Sequence, residues 1–260
     1  MVRVGWQIRH PSGRSATRPD NYVDAVSQPT EERPPEGALR NGLVLLALTF
    51  GFTFALPLLN LTGLSGAVKT LIAEGLYGVM VLLLCRPVVR AAGGWDKAIG
   101  LRRPRLNDVG LALVWTVVEF VARIAVVIVL VAFIPSLLHR DDVSNIRGIE
   151  HATDAQVAVV IVAAVFMAPL LEEIAFRGLL LRGLTPKLGF GWTAVLTSLA
   201  FGLLHGHEGV DLTTAFVTVV LTGVFGFLQA VLVQWRKALT PAVLTHVLSN
   251  ALALTIALNR

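Results

Sequence analysis

Two adjacent glutamates and one arginine end a long apolar stretch of this chain, in the sequence Glu172-Glu173-Ile-Ala-Phe-Arg177. A charged side chain near the centre of a membrane costs about 2.5–3.5 kcal/mol on insertion scales, so carboxylates here need either a structural partner or a chemical purpose. Glu173 and Arg177 are spaced i, i+4 and can pair on one helix face. Glu172 is rotated from Glu173 by about 100°, so its partners must come from other helices.

Histidines on two later stretches are the candidate partners of Glu172. Phe201 and His205 are one helical turn apart, as are His246 and Asn250, so each pair shares a helix face. Facing helices of a bundle build polar sites in this way. Counting about 1.5 Å per residue from the turn between their helices puts Glu172 and His205 at similar depths, about 17–21 Å, and His246 about two turns shallower. Such a set could move protons or bind a metal.

The elements that carry these residues are expected to be membrane-spanning helices. Of the 260 residues, 55% are hydrophobic and only 15% are charged. About 20 apolar residues are needed to cross a bilayer. Lipid satisfies no backbone hydrogen bonds, and the apolar runs lack the alternation of a membrane β-barrel. We therefore predict an all-α, polytopic bundle of about seven spans, within a range of six to eight, at residues 39–59, 66–85, 108–134, 154–172, 191–205, 212–234 and 239–258.

Basic residues orient this bundle, because cytoplasmic loops of membrane proteins hold an excess of Lys and Arg. They are concentrated in the N-terminal tail and after the second, fourth and sixth predicted spans. We expect a multi-pass protein of the cell membrane with a cytoplasmic N-terminus and an extracytoplasmic C-terminus. The expected partner of its apolar helices is the lipid bilayer. Nucleic acid is not expected as a partner, because the basic residues are spread over loops rather than gathered on one face.

The chain divides into three parts by composition. Residues 1–38 are polar and rich in proline, which predicts a disordered cytoplasmic tail. Residues 39–152 hold the first transmembrane helices and their loops, and residues 153–260 hold the polar motifs. Glu119 and Arg123 of the third span are spaced i, i+4 and are expected to neutralise each other. The single cysteine excludes a disulfide framework and a Cys-based metal site.

The three motifs together resemble a known family. Glu172-Glu173-x-x-x-Arg177, Phe201-x-x-x-His205 and His246-x-x-x-Asn250 occur in order on separate spans. This pattern is similar to that of the type II CAAX prenyl endopeptidases and bacteriocin-processing enzymes, the CPBP or Abi family. The resemblance covers about residues 153–260. It implies an intramembrane endopeptidase with its polar site in a cavity open toward the cytosol. It also implies a peptide or lipidated protein as substrate, without identifying one.

Hydrolysis of a peptide bond needs an activated water, stabilisation of the oxyanion and a proton for the leaving amine. We expect Glu172 to be the general base, with His205 orienting the water or passing the proton. His246 and Asn250 would donate hydrogen bonds to the oxyanion. In a second scheme, Glu172, His205 and His246 bind Zn²⁺ and Glu173 is a possible base. The sequence leaves both schemes open. In either scheme, Glu173 and Arg177 are supporting residues.

Two other functions are compatible with the same residues. A membrane immunity or scaffold protein without proteolytic activity could keep the motifs as a polar packing network. A small proton-coupled transporter could use the buried glutamate and histidines as a relay. The small size and the composition rich in Arg, Ala and Val favour a bacterial origin.

Overall fold

The computed structural model describes residues 34–139, 153–209 and 211–259. All regular secondary structure in these ranges is helical, which confirms the predicted all-α class. The described residues from Pro34 onward form one compact unit, so the two predicted transmembrane parts share one core. The predicted disordered tail lies outside the described residues, apart from 34–38.

The helices of the first half begin and end at local signals. Ser65 Oγ accepts a hydrogen bond from the Val68 N–H at 3.4 Å and starts the second helix. Gly93, at φ 77°, ends it in the left-handed conformation that glycine adopts without strain. The Asp108 carboxylate starts the fourth helix and pairs with Arg102 at 2.6 Å. These helices are α1 Ala38–Ala55, α2 Gly66–Ala92, α3 Trp95–Ile99 and α4 Leu106–Phe133, with 3₁₀ turns at Leu56–Thr62 and Pro135–His139.

The second half opens with a helical stretch of 55 residues, Asp154–Glu208. Gly189, at φ 73° and ψ 160°, interrupts the helical backbone and divides the stretch into two legs. The first leg alternates between α- and π-helical geometry. In order, the pieces are α5 Asp154–Ile161, a first π segment Val162–Met167, α6 Ala168–Glu173, a second π segment Ile174–Leu181, α7 Arg182–His205 and a 3₁₀ turn Gly206–Glu208; α8 Leu212–Arg236 and α9 Thr240–Leu258 follow.

The lengths of these helices agree with a multi-pass membrane protein. Within the described residues, five helical stretches are long and apolar enough to cross a bilayer, and Thr240–Ile256 is a shorter apolar helix. Because the longest stretch has two legs, the helices correspond to the seven spans predicted from the sequence. Large apolar side chains such as Val114 and Ile128 of α4 are exposed on the outside of the bundle, as expected for a face in contact with lipid.

Small residues let α7 and α8 approach closely. A Cβ added at Gly202 would lie 2.4 Å from the carbonyl oxygen of Val219, and one added at Gly226 would lie 3.3 Å from Ser198 Cα. Such close backbone contacts are typical of helix packing in membranes, where small side chains line the interface. The helix that carries His205 is therefore fixed directly against α8.

Glu119 and Arg123 do not form the close ion pair that their i, i+4 spacing suggests. Glu119 is fully buried, and its Oε2 accepts a hydrogen bond from Ser249 Oγ of α9 at 3.0 Å. The Arg123 guanidinium lies over the Phe120 ring, 4.7 Å from its centroid, and no ion pair within 4.0 Å joins these two described side chains. The hydrogen bond from Ser249 links α4 to α9.

Candidate active site

Three residues predicted from the sequence converge in the structure, and we call them the Glu–His cluster. Glu172 Oε1 lies 3.8 Å from His205 Nε2, and Glu172 Oε2 lies 3.7 Å from His246 Nε2. The three residues come from α6, α7 and α9. Each carboxylate oxygen therefore faces a different imidazole, within reach of one shared water molecule.

Both imidazoles of the cluster are held through their other ring nitrogen. His205 Nδ1 lies 2.8 Å from the carbonyl oxygen of Phe201, and His246 Nδ1 lies 3.0 Å from Glu173 Oε1. A carbonyl and a carboxylate can only accept, so Nδ1 carries the hydrogen in both rings. In the neutral form, Nε2 of each ring then presents a lone pair toward Glu172. The Nε2 atoms and the Glu172 carboxylate can therefore all accept hydrogen bonds from a water molecule that lies between them.

The cluster can be reached from outside the protein, whereas its support cannot. The side chains of Glu172 and His205 are 19% and 21% exposed, but Glu173 is 0% exposed. The two neighbouring glutamates therefore have different surroundings. Glu172 is partly exposed, whereas Glu173 contacts only protein.

Glu173 and Arg177 form the predicted pair, with Arg177 Nη1 donating to Glu173 Oε1 at 3.1 Å. Arg177 Nη2 donates to the carbonyl oxygen of Gly226 on α8 at 3.0 Å, and its guanidinium lies 4.6 Å from the centroid of the Phe201 ring. Because Glu173 Oε1 also accepts from His246, the pair connects three helices. The contact between Glu173 and His246 was not foreseen from the sequence.

The glutamates lie where two irregular helical segments meet. The first π segment ends just before α6, and the second begins directly after Glu173. Pro169 is the second residue of α6. A proline inside a helix removes one N–H and crowds the preceding turn, so a wider turn accommodates it. Single π turns are often found at functional sites.

The predicted depth of His246 is corrected by the turn that precedes α9. Leu239 and Thr240 are buried. The Leu239 N–H donates to the carbonyl oxygen of Gly100, and Thr240 Oγ1 bonds both the N–H and the carbonyl of Arg102. The turn therefore lies inside the packed bundle rather than at its surface. Counting residues from this turn therefore underestimates the depth of His246 in the bundle. The 3.7 Å contact between the two side chains shows that His246 is level with Glu172.

Asn250 is one turn beyond His246 but bonds elsewhere. Its Nδ2 donates to the carbonyl oxygen of Ala164, in the first π segment, at 2.8 Å. No hydrogen bond joins its carboxamide to Glu172, His205 or His246, all of which are described. The amide group has a second N–H that this bond does not use.

The zinc scheme requires Glu172, His205 and His246 to be arranged as ligands of one ion. Catalytic zinc needs three protein ligands at about 2.0–2.2 Å from the ion. Within the described residues, no group of three or more His, Cys, Asp or Glu side chains is spaced to hold a metal ion. As arranged, the Glu–His cluster does not present three ligands to one Zn²⁺ ion.

Two aromatic rings pack against the histidines, and the sequence singled out only one of them, Phe201. The Phe225 ring lies 4.6 Å from the His246 ring, and Phe201 lies 4.5 Å from His205 and 6.2 Å from His246, measured between centroids. Phe225 belongs to an ordinary apolar run of α8, where nothing in its spacing distinguishes it. Only the tertiary structure identifies it as part of the site.

A cavity of about 310 Å³ lies beside the turn that follows His205. His207 lines it, together with residues from the end of α1, the 3₁₀ turn and the start of α2: Thr53, Leu56, Leu59, Lys69, Thr70 and Ala73. This volume is at the lower end of the range for small-molecule pockets. The cavity lies at the end of the bundle opposite the basic loops that follow α2 and α8.

Comparisons with known proteins agree with these observations. The model of the family described as type II CAAX prenyl endopeptidase Rce1-like matches residues 154–252. A curated protein of Bacillus subtilis (strain 168), named "Putative membrane peptidase YdiL", is 26% identical over 194 residues, which cover 72% of this chain and 77% of that protein. No solved structure matches the chain. All three motifs lie within the matched region.

Proposed function

We propose, on the premise that residues 154–252 belong to the Rce1-like family of type II CAAX prenyl endopeptidases, that this chain is an intramembrane endopeptidase. The observation that carries the proposal is the position of Glu172. Its two oxygens face the Nε2 atoms of His205 and His246 at 3.8 and 3.7 Å, and its side chain is accessible. A buried packing network would not need an accessible carboxylate between two oriented histidines.

Glu172 is the general base of the proposed reaction. It takes a proton from a water molecule held between its carboxylate and His205, and the water oxygen bonds to the carbonyl carbon of the substrate. His205 is fixed by the Phe201 carbonyl, so its Nε2 can orient this water. The proton on Glu172 then passes, directly or through His205, to the leaving nitrogen. The C–N bond breaks, which gives a carboxylic acid and an amine.

The oxyanion forms on the side of His246. His246 takes part in this reaction as the imidazolium throughout: both of its ring nitrogens donate, so Nδ1 keeps its bond to Glu173 and Nε2 donates to the oxyanion, and no proton is transferred to or from this ring. The second N–H of Asn250 is the proposed companion donor. Removing one donor of this kind typically costs about 10²–10³ in kcat. Glu173 and Arg177 orient His246 and do not contact the substrate.

The proposed substrate is a peptide bond in a membrane-associated or lipidated protein, such as a CAAX-like sequence. The helices that carry the cluster are apolar on the outside, so a lipidated chain can approach through the bilayer. We propose a location in the cell membrane of a bacterium, with the N-terminus in the cytoplasm, because the basic loops all lie at one end of the bundle.

Cleavage of quenched fluorescent peptides by the purified protein tests the proposal. Soluble and prenylated versions of one peptide would be compared on wild type and Glu172→Gln. We expect the substitution to lower kcat by at least about 10²-fold while helicity and elution volume in detergent are unchanged. If wild type cleaves no peptide in either set, the scaffold function gains support. Uptake that depends on a proton gradient would instead support the transporter.

A further inference from the structure

We infer that Pro169 is a positioning residue for Asn250, and that it acts by leaving the carbonyl group of Ala164 without a helical donor. The inference rests on the proposed function for its activity measurement. Its structural part stands without it.

The backbone around Pro169 explains why the carbonyl of Ala164 has no donor within its own helix. The Ala168 N–H donates to the carbonyl oxygen of Ala163, five residues earlier, as in a π-helix. In the same register, the next bond would join the N–H of residue 169 to the carbonyl of Ala164. Residue 169 is a proline and has no N–H. A carbonyl group within a membrane bundle needs a partner, because lipid offers none.

Asn250 supplies that partner from another helix. Its Nδ2 lies 2.8 Å from the Ala164 oxygen, and Pro169 itself is buried. Ala164 lies about two turns before Glu172 on the same helical leg, and Asn250 lies one turn after His246. The bond therefore fixes α9 against the leg that carries Glu172, one turn from His246 and about two turns from Glu172.

The bond also determines how the Asn250 amide is oriented. One N–H is occupied by Ala164, so the plane of the carboxamide and the direction of its second N–H are set. Without the bond, the side chain could rotate, and the second N–H would have no fixed direction. Pro169 therefore acts on the reaction indirectly. It leaves the Ala164 carbonyl for Asn250 to bond, and it does not contact the substrate.

A double-mutant cycle of Pro169→Ala and Asn250→Ala tests this directly. Alanine at 169 restores an N–H that can bond Ala164 within the helix, so Asn250 loses its acceptor. In the wild-type background we expect Asn250→Ala to lower kcat by about 10²-fold and to lower the Tm in detergent. In the Pro169→Ala background, we expect less than about a threefold further loss of kcat and a smaller shift of Tm, because coupled residues are not additive.

Matched variants separate this effect from a general one. Pro87→Ala replaces the helical proline of α2, which has no bond to Asn250, and should leave the effect of Asn250→Ala unchanged. Asn250→Asp keeps the shape of the side chain but offers no donor to Ala164, and should resemble Asn250→Ala. Equal losses of kcat and Tm for Asn250→Ala in both proline backgrounds would overturn the inference. Coupled Tm shifts in a protein without peptidase activity would support the inference and refute the proposed function.

Discussion

Glu172 and Glu173 are neighbours in the chain, but the structure gives them different surroundings. Glu173 is fully buried and accepts from both Arg177 and His246. Glu172 lies within 4 Å of two histidine Nε2 atoms and remains accessible. This difference follows from the rotation of about 100° between successive helical residues. It makes the two carboxylates separable by substitution.

At the residue scale, Arg177→Ala should mainly harm assembly. The substitution leaves the buried Glu173 with His246 as its remaining partner, and removing one member of a buried pair typically costs about 3–5 kcal/mol. It also removes the bond to the Gly226 carbonyl on α8. We expect low yield and a clearly lowered Tm in detergent, whereas Glu172→Gln should keep the wild-type Tm. Arg86→Ala, at an exposed position of α2, is the matched control, and an equal loss of Tm there would contradict this role.

Removal of metal ions tests the scheme in which Glu172, His205 and His246 bind Zn²⁺. No group of possible ligands within the described residues is spaced to hold a metal, so we expect peptide cleavage to persist after dialysis against EDTA. Metal content measured on the purified protein provides the control. Loss of cleavage that is restored by Zn²⁺, and not by Mg²⁺, would instead establish the zinc scheme.

At the scale of elements, the contact between α7 and α8 positions His205. Gly202 lies three residues before His205, and a Cβ there would come within 2.4 Å of the Val219 carbonyl oxygen. Backbone cannot move aside as a flexible side chain can, and overpacking typically costs about 1–3 kcal/mol. We expect Gly202→Ala to lower both the Tm and kcat, because α7 must shift away from α8.

A second glycine of α7 provides the control for this prediction. A Cβ at Gly191 would meet nothing within 4 Å, so Gly191→Ala should leave both the Tm and kcat close to wild type. Both variants add one methyl group to the same helix. If Gly202→Ala proves as harmless as Gly191→Ala, the helices are not packed as closely as the structure indicates.

At the scale of the whole molecule, the orientation in the membrane remains a prediction from loop charge. It can be measured in cells by labelling single cysteines with a membrane-impermeant maleimide, after Cys85→Ala removes the natural thiol. With the N-terminus in the cytoplasm, Leu64→Cys, in the turn between α1 and α2, should be labelled from outside. Arg103→Cys, between α3 and α4, should be labelled only after lysis. The reverse pattern would refute the predicted orientation.

This measurement also decides between two expectations drawn from the sequence. The family resemblance implies a site open toward the cytosol. Loop charge instead places the end of the bundle that holds His207 and its cavity outside the cytoplasm. If the peptide enters through this cavity, the cytosolic opening implied by the family and the orientation implied by loop charge cannot both be correct. Labelling of Leu64→Cys from outside would assign the cavity to the extracytoplasmic side.

The sequence by itself determined the class of the fold, the pairing of Glu173 with Arg177 and the resemblance to a known family. Long apolar runs permit only helices in lipid, and a spacing of four residues brings Glu173 to Arg177. The three motifs were sufficient for the family resemblance, which the match over residues 154–252 confirms. These features are local, because each depends on one stretch of chain and its helical period.

Only the tertiary structure decided which side chains meet across helices. It brought His246 level with Glu172 by burying the turn before α9, and it placed the hydroxyl of Ser249 in hydrogen-bond contact with Glu119. It also placed the Asn250 side chain where it donates to the carbonyl oxygen of Ala164. Helical period fixes the direction of a side chain around its own axis, but not the depth or rotation of one helix against another. Those depend on close contacts such as Gly202 against Val219, which no spacing in the sequence reveals.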